Sequence, residues 1–299
     1  MNTSTLRASI SPEWLPWLLA PLLIVLVAAT VEGVVLARRG PHGYDWRAFA
    51  ATLADVAGRR LIDALGLSLS VPLLTWVHAN RLATIELDNP LAFIALFVGV
   101  EFFYYWHHRA SHRVRWFWAT HCVHHSPNEL TLVSALRLGW TVQAGGAALF
   151  FAPLVWFGFT PLAVLGAVAM NLLYQFWLHS TWIPRLGPLE LVLNTPSSHR
   201  VHHGSNPIYL DCNYGGVLIV FDRLFGTFVA ERADEPPRYG LTTPLNTHNP
   251  LRIELHEWLA LGRDLMAARG WRESLWVLFG PPRPSGHAIS APAVPLRSH

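Results

Sequence analysis

Apolar residues along the chain fall into five long runs: Trp14 to Ala37, Leu61 to Val77, Leu91 to Trp106, Leu138 to Phe157 and Leu162 to Trp177. Each approaches the ~20 residues that an α-helix needs to cross a hydrocarbon core. The pattern therefore predicts an all-α integral membrane protein with about five transmembrane helices. The first run is longer than the apolar part of a signal peptide, follows only Arg7 as a basic residue and precedes no cleavage motif, so it is expected to be retained. Only Gly158 to Pro161 separates the last two runs, which predicts a tight antiparallel hairpin. Past Ile183 the chain is less hydrophobic. Val217 to Val220 fits a short strand or an interfacial helix equally well. Leu251 to Phe279 has helical periodicity broken by Gly262 and Gly270, as expected of one interrupted or two short amphipathic helices at a membrane surface. The tail at 281–299 is Pro-rich and expected to be disordered. This gives a single membrane-embedded domain over 1–280.

Composition agrees. Of 299 residues, 52% are hydrophobic and 14% charged, against about 25% charged in a typical soluble domain. Trp14, Trp17, Trp76, Trp106, Trp116, Trp118, Trp177 and Trp182 lie near run ends, where an interfacial aromatic belt belongs. A net charge of +3, dispersed beside the apolar runs, excludes nucleic acid as a partner. Arg38, Arg39, Arg47, Arg59 and Arg60 follow the first run, against Arg81 alone between the second and third. By the positive-inside rule the first connection is cytoplasmic. The third run then emerges into the cytoplasm at His107 and His108, and the hairpin returns there at His179.

That placement matters because of the histidines. Glu101 to Arg137 holds six of the sixteen in the chain. His108 and His112 are four apart, and His121, His124 and His125 form an H-x-x-H-H triplet whose spacing shares one helical face. A second triplet stands at His199, His202 and His203, with His179 between. At this abundance one such triplet arises by chance roughly 0.05 times per chain, so two mark these residues as metal ligands. The topology, set without using histidine positions, puts all nine on one side of the membrane, in a cytoplasmic helical cap. Imidazole alone does not name the metal, since zinc, copper, iron and nickel all accept it. One tetrahedral ion needs three or four protein ligands, so nine histidines predict a dinuclear site. No H-E-x-x-H motif or Glu-x-x-His pair is present, which excludes zincin-type and ferritin-like sites. Cys122 and Cys212 form no C-x-x-C pattern and indicate neither a disulfide nor a thiolate site.

HRASH, HCVHHS, the isolated LHS, and NTPSSHRVHHG followed by DCNYGG and FDRLFGTF resemble, in order and spacing, the fatty acid hydroxylase/sterol desaturase superfamily of membrane di-iron oxygenases. The resemblance covers about Glu101 to Tyr239, and its pattern is that of the alkylglycerol monooxygenase-like branch and its bacterial relatives. It implies that His108, His112, His121, His124, His125, His179, His199, His202 and His203 ligate two iron ions (Fe2+/Fe3+), within a catalytic core of about 91–240. It further implies dioxygen as co-substrate, a membrane lipid substrate, and hydroxylation or desaturation of an unactivated C–H position. The chain departs from the branch's animal enzymes at Arg113, where they carry an acid, and has Ser198 where many relatives have another histidine. No dinucleotide fingerprint or fused cytochrome domain is visible. Electrons are therefore expected from an external ferredoxin, cytochrome, flavoprotein reductase or pterin. Arginine asymmetry and the lysine-free composition point to a bacterial inner membrane, with the metal site on the cytoplasmic side. Two other classes compete with the oxygenase: a histidine-cluster metal or proton transporter, and an inactive metal-binding relative.

Three polar residues are candidates for supporting the ligands. Glu101 lies seven residues before His108 within an apolar run; it either orients a ligand or answers an arginine from another span. Asp211 and Asn213 closely follow the last triplet, as turn formers or as partners of the histidines. His107 points about 100° away from His108 on a helix and reads as an interfacial residue. His42, His248, His256, His287 and His299 read as solvent-facing. Arg109, Arg113, Arg115 and Arg137 are expected to face phospholipid head groups.

Overall fold

Polar caps followed by proline fix where several helices start. Asn89, Thr160 and Asn249 each accept a backbone N–H of the following first turn, and Pro90, Pro161 and Pro250 come next, with φ already set for helix. The computed structural model describes residues 15–39 and 43–282. Its helices are α1 (Leu15–Arg39), α2 (Trp46–Ala64), α3 (Ser70–Ala79), α4 (Pro90–Arg113), α5 (Arg115–His125), α6 (Ala148–Phe157), α7 (Pro161–Phe176), α8 (Pro196–His202), α9 (Val220–Leu224), α10 (Pro250–Ala267) and α11 (Trp271–Phe279). Among the described residues there is no strand, only isolated bridges such as Leu193 with Leu218. Val217 to Val220 thus supplies one bridge and then the start of α9. The Leu251–Phe279 segment is two helices, parted before Gly270, with Gly262 inside α10.

Two of the expected spans are long and apolar enough to cross a membrane, Ala20–Arg39 and Pro90–Arg113. Both turn large apolar side chains outward, Ile24 and Val27 on α1 and Leu91, Phe93 and Ile94 on α4. The Leu61–Val77 run is not one helix. It holds the end of α2, a turn at Gly66, whose φ of 72° suits a residue without Cβ, and most of α3. The Leu138–Phe157 run is helical only from Ala148. Upstream, the amide of Leu138 bonds Asp55 and that of Trp140 bonds Glu254, both at 2.9–3.0 Å, and those tertiary bonds hold the chain out of helix. The expected hairpin is there: α6 and α7 are joined through Gly158–Thr160. At ~15 and ~24 Å, however, each is shorter than a ~30 Å hydrocarbon core.

A single apolar cluster binds α3, α4, α6 and α7 through Leu74, Leu96, Val100, Phe151, Val155 and Val164. A smaller apolar cluster joins α2, α5 and α10 through Ala51, Val123 and Ile253. There α5 is clamped to α10 by Arg115, buried against Glu257 at 2.9 Å and Asp264 at 2.5 Å. Arg137 is equally buried, donating to Thr52, Ser126 and the Ala48 carbonyl. Neither arginine faces head groups. Arg109 bonds the Tyr105 hydroxyl and Arg113 pairs with Asp211. The expected tail beyond Pro282 and His42, His287, His299 and Trp14 lie outside the described residues.

Candidate metal centre

Helical phase decides how the two H-x-x-H-H triplets divide. Residues four apart on a helix are offset by about 40°, while the residue at i+3 lies about 60° to the other side. On α5, His121 and His125 join His108 and His112 of α4. The i+3 residue, His124, turns to His179, just beyond α7. On α8 and its C-terminal cap the pair His199 and His203 joins His124 and His179, and His202 crosses to the first group. The result is one group of five, His108, His112, His121, His125 and His202, and one of four, His124, His179, His199 and His203. Within each group one ring nitrogen from every member lies within 4.8 Å of all the others. The groups abut, with the rings of His125 and His203 stacked at 4.4 Å.

The hydrogen bonds set the tautomers. His108 and His202 use Nδ1 against the carbonyls of Tyr214 at 2.8 Å and Cys212 at 2.9 Å. His124 and His179 do the same with Arg137 at 3.0 Å and Gln175 at 2.9 Å. A carbonyl only accepts, so each Nδ1 carries the proton and each Nε2 presents a bare lone pair. Yet the Nε2 atoms of His124 and His179 face each other at 3.3 Å, and those of His112 and His202 are buried with no partner. Protonation does not resolve this conflict. Burial pushes His124 down to about 4 and His202 down to about 3. It also holds His121, His125, His179, His199 and His203 well below the usual range, with neighbouring imidazoles adding to the effect. Converging neutral lone pairs at a buried site suit a cation among them. The donor set, imidazole with neither thiolate nor carboxylate, suits a borderline transition metal. Both groups could hold a metal ion.

The candidate supporting residues act through the backbone. Asp211 and Asn213 sit at φ of 59° and 55°, a left-handed conformation that Asp and Asn tolerate better than most residues. The turn they make presents the Cys212 and Tyr214 carbonyls to His202 and His108. The buried Asn213 side chain pins it, donating to the Ser198 and Val229 carbonyls and accepting from the Val229 amide at 2.8–2.9 Å. Asp211 takes Arg113 at 2.8 Å, with its other oxygen 3.8 Å from His112 Nδ1. Glu101 touches neither a histidine nor an arginine. Its carboxylate accepts from the Val217 and Leu218 amides at 2.8 Å and from Asn171 at 2.5 Å, tying the loop after DCNYGG to α4 and α7. Gly216 lies so close to the Asn171 side chain that a Cβ would collide with it.

Sequence reasoning missed Asn171 and Gln175. Gln175 accepts from the Tyr104 hydroxyl at 3.0 Å and donates to Asn171 at 2.6 Å. Their signal was available: Asn171, Gln175 and His179 stand at i, i+4 and i+8 in an otherwise apolar run. His107 joins neither histidine group and packs against Phe150 and Phe151. His248 pairs with Asp45, and His256 bonds the Ile253 carbonyl.

Two cavities reach the histidines from opposite directions. One, of 170 Å³, runs between α3, α4, α6 and α7, is walled by Leu74, Phe151, Leu165 and Val168, and touches His108, His121, His124 and His179. The other, of 610 Å³, is bordered by Arg113, Ser205, Asp211 and Thr242 and touches His112, His125, His202 and His203.

Comparison with known proteins carries this geometry into a family. The chain is 40% identical over 230 residues to alkylglycerol monooxygenase of Xenopus tropicalis, covering 77% of this chain and 49% of that protein. It is 43% identical over 202 residues to alkylglycerol monooxygenase of Homo sapiens, covering 68% and 44%. With ornithine lipid hydroxylase OlsE of Rhizobium tropici it shares 34% identity over 152 residues, covering 50% and 44%. The chain thus spans about half the length of these relatives. No solved structure matches it. The fatty acid hydroxylase family profile matches residues 93–227, and it is this segment, which contains all nine clustered histidines, that is similar to the fatty acid hydroxylase family.

Proposed function

We propose that the protein is a dioxygen-dependent di-iron oxygenase that hydroxylates or desaturates an unactivated C–H position of a membrane lipid. In this reading His108, His112, His121, His125 and His202 hold one iron, and His124, His179, His199 and His203 the other. The observation that carries it is the 170 Å³ cavity, whose walls are mostly apolar and whose end meets histidines of both groups. Bound iron would supply the reduction and activation of dioxygen that attack on such a bond requires.

The chain's own residues do the rest. Backbone carbonyls fix four imidazoles with Nε2 inward, so the ligand set is preorganised before metal arrives. Leu74, Phe151, Leu165 and Val168 exclude water from the hydrocarbon being oxidised. Leu172 lines the same cavity and is 40% exposed on α7, which supports lateral entry of a chain from the bilayer. The larger cavity on the opposite side is the route we assign to dioxygen and to an external donor, whether ferredoxin, cytochrome, flavoprotein reductase or pterin. The five apolar helices α1, α3, α4, α6 and α7 form the membrane-embedded body, α1 and α4 crossing it and the short helices entering as a packed wedge. The capping helices and the site lie on the cytoplasmic side of a bacterial inner membrane, as the arginine asymmetry supports. The catalytic domain extends over 1–280, with its core at about 91–240.

The test is iron loading and dioxygen uptake. Full-length protein in detergent, reconstituted anaerobically with ferrous iron, is expected to bind two irons and to consume dioxygen when given a reductant and a lipid extract. His124→Ala should lower both. Tight zinc binding with no iron uptake, and no dioxygen consumption under any lipid and reductant, would sink the proposal.

A further inference from the structure

The apolar cavity has a cation in its wall that the oxygenase reading leaves unused. Arg59, on α2, lines it together with Ser70 and Gln143. The other polar groups there are satisfied: Ser70 donates to Gln143 at 2.6 Å, and Tyr104 to Gln175 at 3.0 Å. Arg59 Nε is buried with no hydrogen-bond partner, and among the described residues no carboxylate lies within ion-pair distance of its guanidinium. The acids around it are engaged elsewhere. Asp55 accepts the Leu138 amide, Asp63 takes Arg60, and Glu254 accepts the Trp140 amide. An arginine cannot shed its charge, so this half-buried guanidinium is open to an anionic partner.

Two more observations define what would complete it. Arg60, the next residue, is 69% exposed, so this end of the cavity lies near water while the histidine end is buried. A volume of 170 Å³ is also small beside the ~300–1,000 Å³ of ordinary ligand pockets. A cavity of that size excludes a two-chain lipid.

We infer that Arg59 anchors the substrate's head: the ligand is a single-chain amphiphile whose anionic end, a phosphate or a carboxylate, pairs with Arg59 while its hydrocarbon tail runs past Leu74, Phe151 and Val168 to the histidines. This rests on the lipid-oxygenase reading and narrows its substrate class. A guanidinium suits either anion, because both accept its paired N–H groups.

Equilibrium binding to the full chain, in nanodiscs of a neutral lipid, tests it with three labelled probes of equal tail length: a free fatty acid, a lysophosphatidate and a neutral alkylglycerol. Wild type is expected to bind at least one anionic probe about tenfold to a hundredfold more tightly than the neutral one, and the tighter probe identifies the head group. Arg59→Gln should erase that preference and Arg59→Lys should keep part of it. Both variants should retain wild-type metal content, since Arg59 touches no histidine. Val168→Trp, which fills the cavity, should abolish binding of all three probes. The inference is overturned if wild type binds the neutral probe as tightly as both anions, if Arg59→Gln keeps the preference, or if Val168→Trp binds normally. Dioxygen consumption on neutral lipids without charge preference would remove the head anchor and leave the oxygenase reading standing. Failure of every probe to bind wild type would overturn the inference and leave the oxygenase reading to the test of iron loading and dioxygen uptake.

Discussion

The two H-x-x-H-H helices carry the same five-residue pattern, but the protein builds them by different means. α5 has 11 residues and follows α4 after only Val114. It is braced from outside by Arg115, which pairs with Glu257 and Asp264 of α10. α8 has seven residues, all buried, and a helix that short does not stand alone in water. Its position comes from its surroundings. Arg200 grips Glu231 through two bonds at 2.7–2.8 Å and reaches the Ser180 and Ile183 carbonyls, while Asn213 holds the Ser198 carbonyl. One triplet thus rides on a helix with its own continuity, and the other on a turn held by loops. Because each helix sends one histidine into the other's group, a fault in either reaches both.

The largest effect should come from the crossing histidines. His202→Ala removes the only α8 histidine from the α5 group, and His124→Ala the only α5 histidine from the α8 group. Each is expected to lower iron content from about two toward about one per chain and to abolish lipid-dependent dioxygen uptake. Full occupancy in both variants, measured by elemental analysis, would show that the groups are not independent sites.

Next are the arginines that secure the helices. Breaking a buried ion pair by removing one partner costs about 3–5 kcal/mol. Arg115→Ala and Arg200→Ala should therefore destabilise similarly, yet differ in metal retention. With α5 still attached to α4, Arg115→Ala is expected to keep its iron in the cold while melting earlier. Arg200→Ala should lose iron from both groups before global unfolding, because α8 has no other continuous support. Thermal unfolding recorded alongside metal release separates the two; equal retention would remove the contrast.

This asymmetry shows how far the sequence could be read. The α5 triplet and the His108/His112 pair are legible because regular helices turn spacing into direction. Their ring nitrogens meet where the i, i+4 rule places them. The division into five and four histidines follows from the same phase, but only once α4, α5, α7 and α8 are in place, and no single-chain pattern encodes that. Support by backbone carbonyls was not legible at all, since the groups presented to His108 and His202 are main-chain atoms at Tyr214 and Cys212. Side-chain chemistry at Asp211 and Asn213 only hinted at the turn that delivers them. The broken fourth apolar run has the same origin. Asp55 and Glu254, distant in sequence, take the amides that a continuous helix at Leu138 and Trp140 would need.

A smaller effect tests that turn. Asn213→Gly keeps the left-handed backbone accessible and removes three side-chain hydrogen bonds. The expected cost is about 2 kcal/mol of stability and roughly a 10–100-fold loss of metal affinity, felt first in the group containing His108 and His202. Metal titration against a competing chelator would read it. Unchanged affinity would mean that the carbonyls of Cys212 and Tyr214 hold their places without this anchor.

The smallest expected effect is one of pH, and it should touch only the α5 side of the comparison. Glu254 on α10 lies against Asp55 of α2, each with an oxygen that is buried and lacks any other partner. Burial, and then the neighbouring Asp55, push the Glu254 carboxyl up from near 4.5 to about 9, so the two acids share a proton. A group whose folded value is raised contributes stability that is complete below the unfolded value and is lost as pH climbs toward the folded one. The window is therefore about 4.5 to 9, with stability falling as pH rises. Glu254→Gln mimics the protonated form and should flatten that slope. Between about pH 6.5 and about pH 7.5 the wild type should lose about 1 kcal/mol more than the variant, or about 2–4 °C in Tm for a chain of this length. The pair Arg200–Glu231 offers α8 no such dependence, because burial raises the Glu231 carboxyl but its bonds to Arg200 and Ser197 outweigh that and hold it below its usual value. Above about pH 6, α10 and α5 should therefore loosen while α8 does not. Hydrogen exchange resolved to these segments would show amides of α5 opening with rising pH beyond the intrinsic rate increase. Equal opening of α8 would mean that the two triplets are supported as one unit.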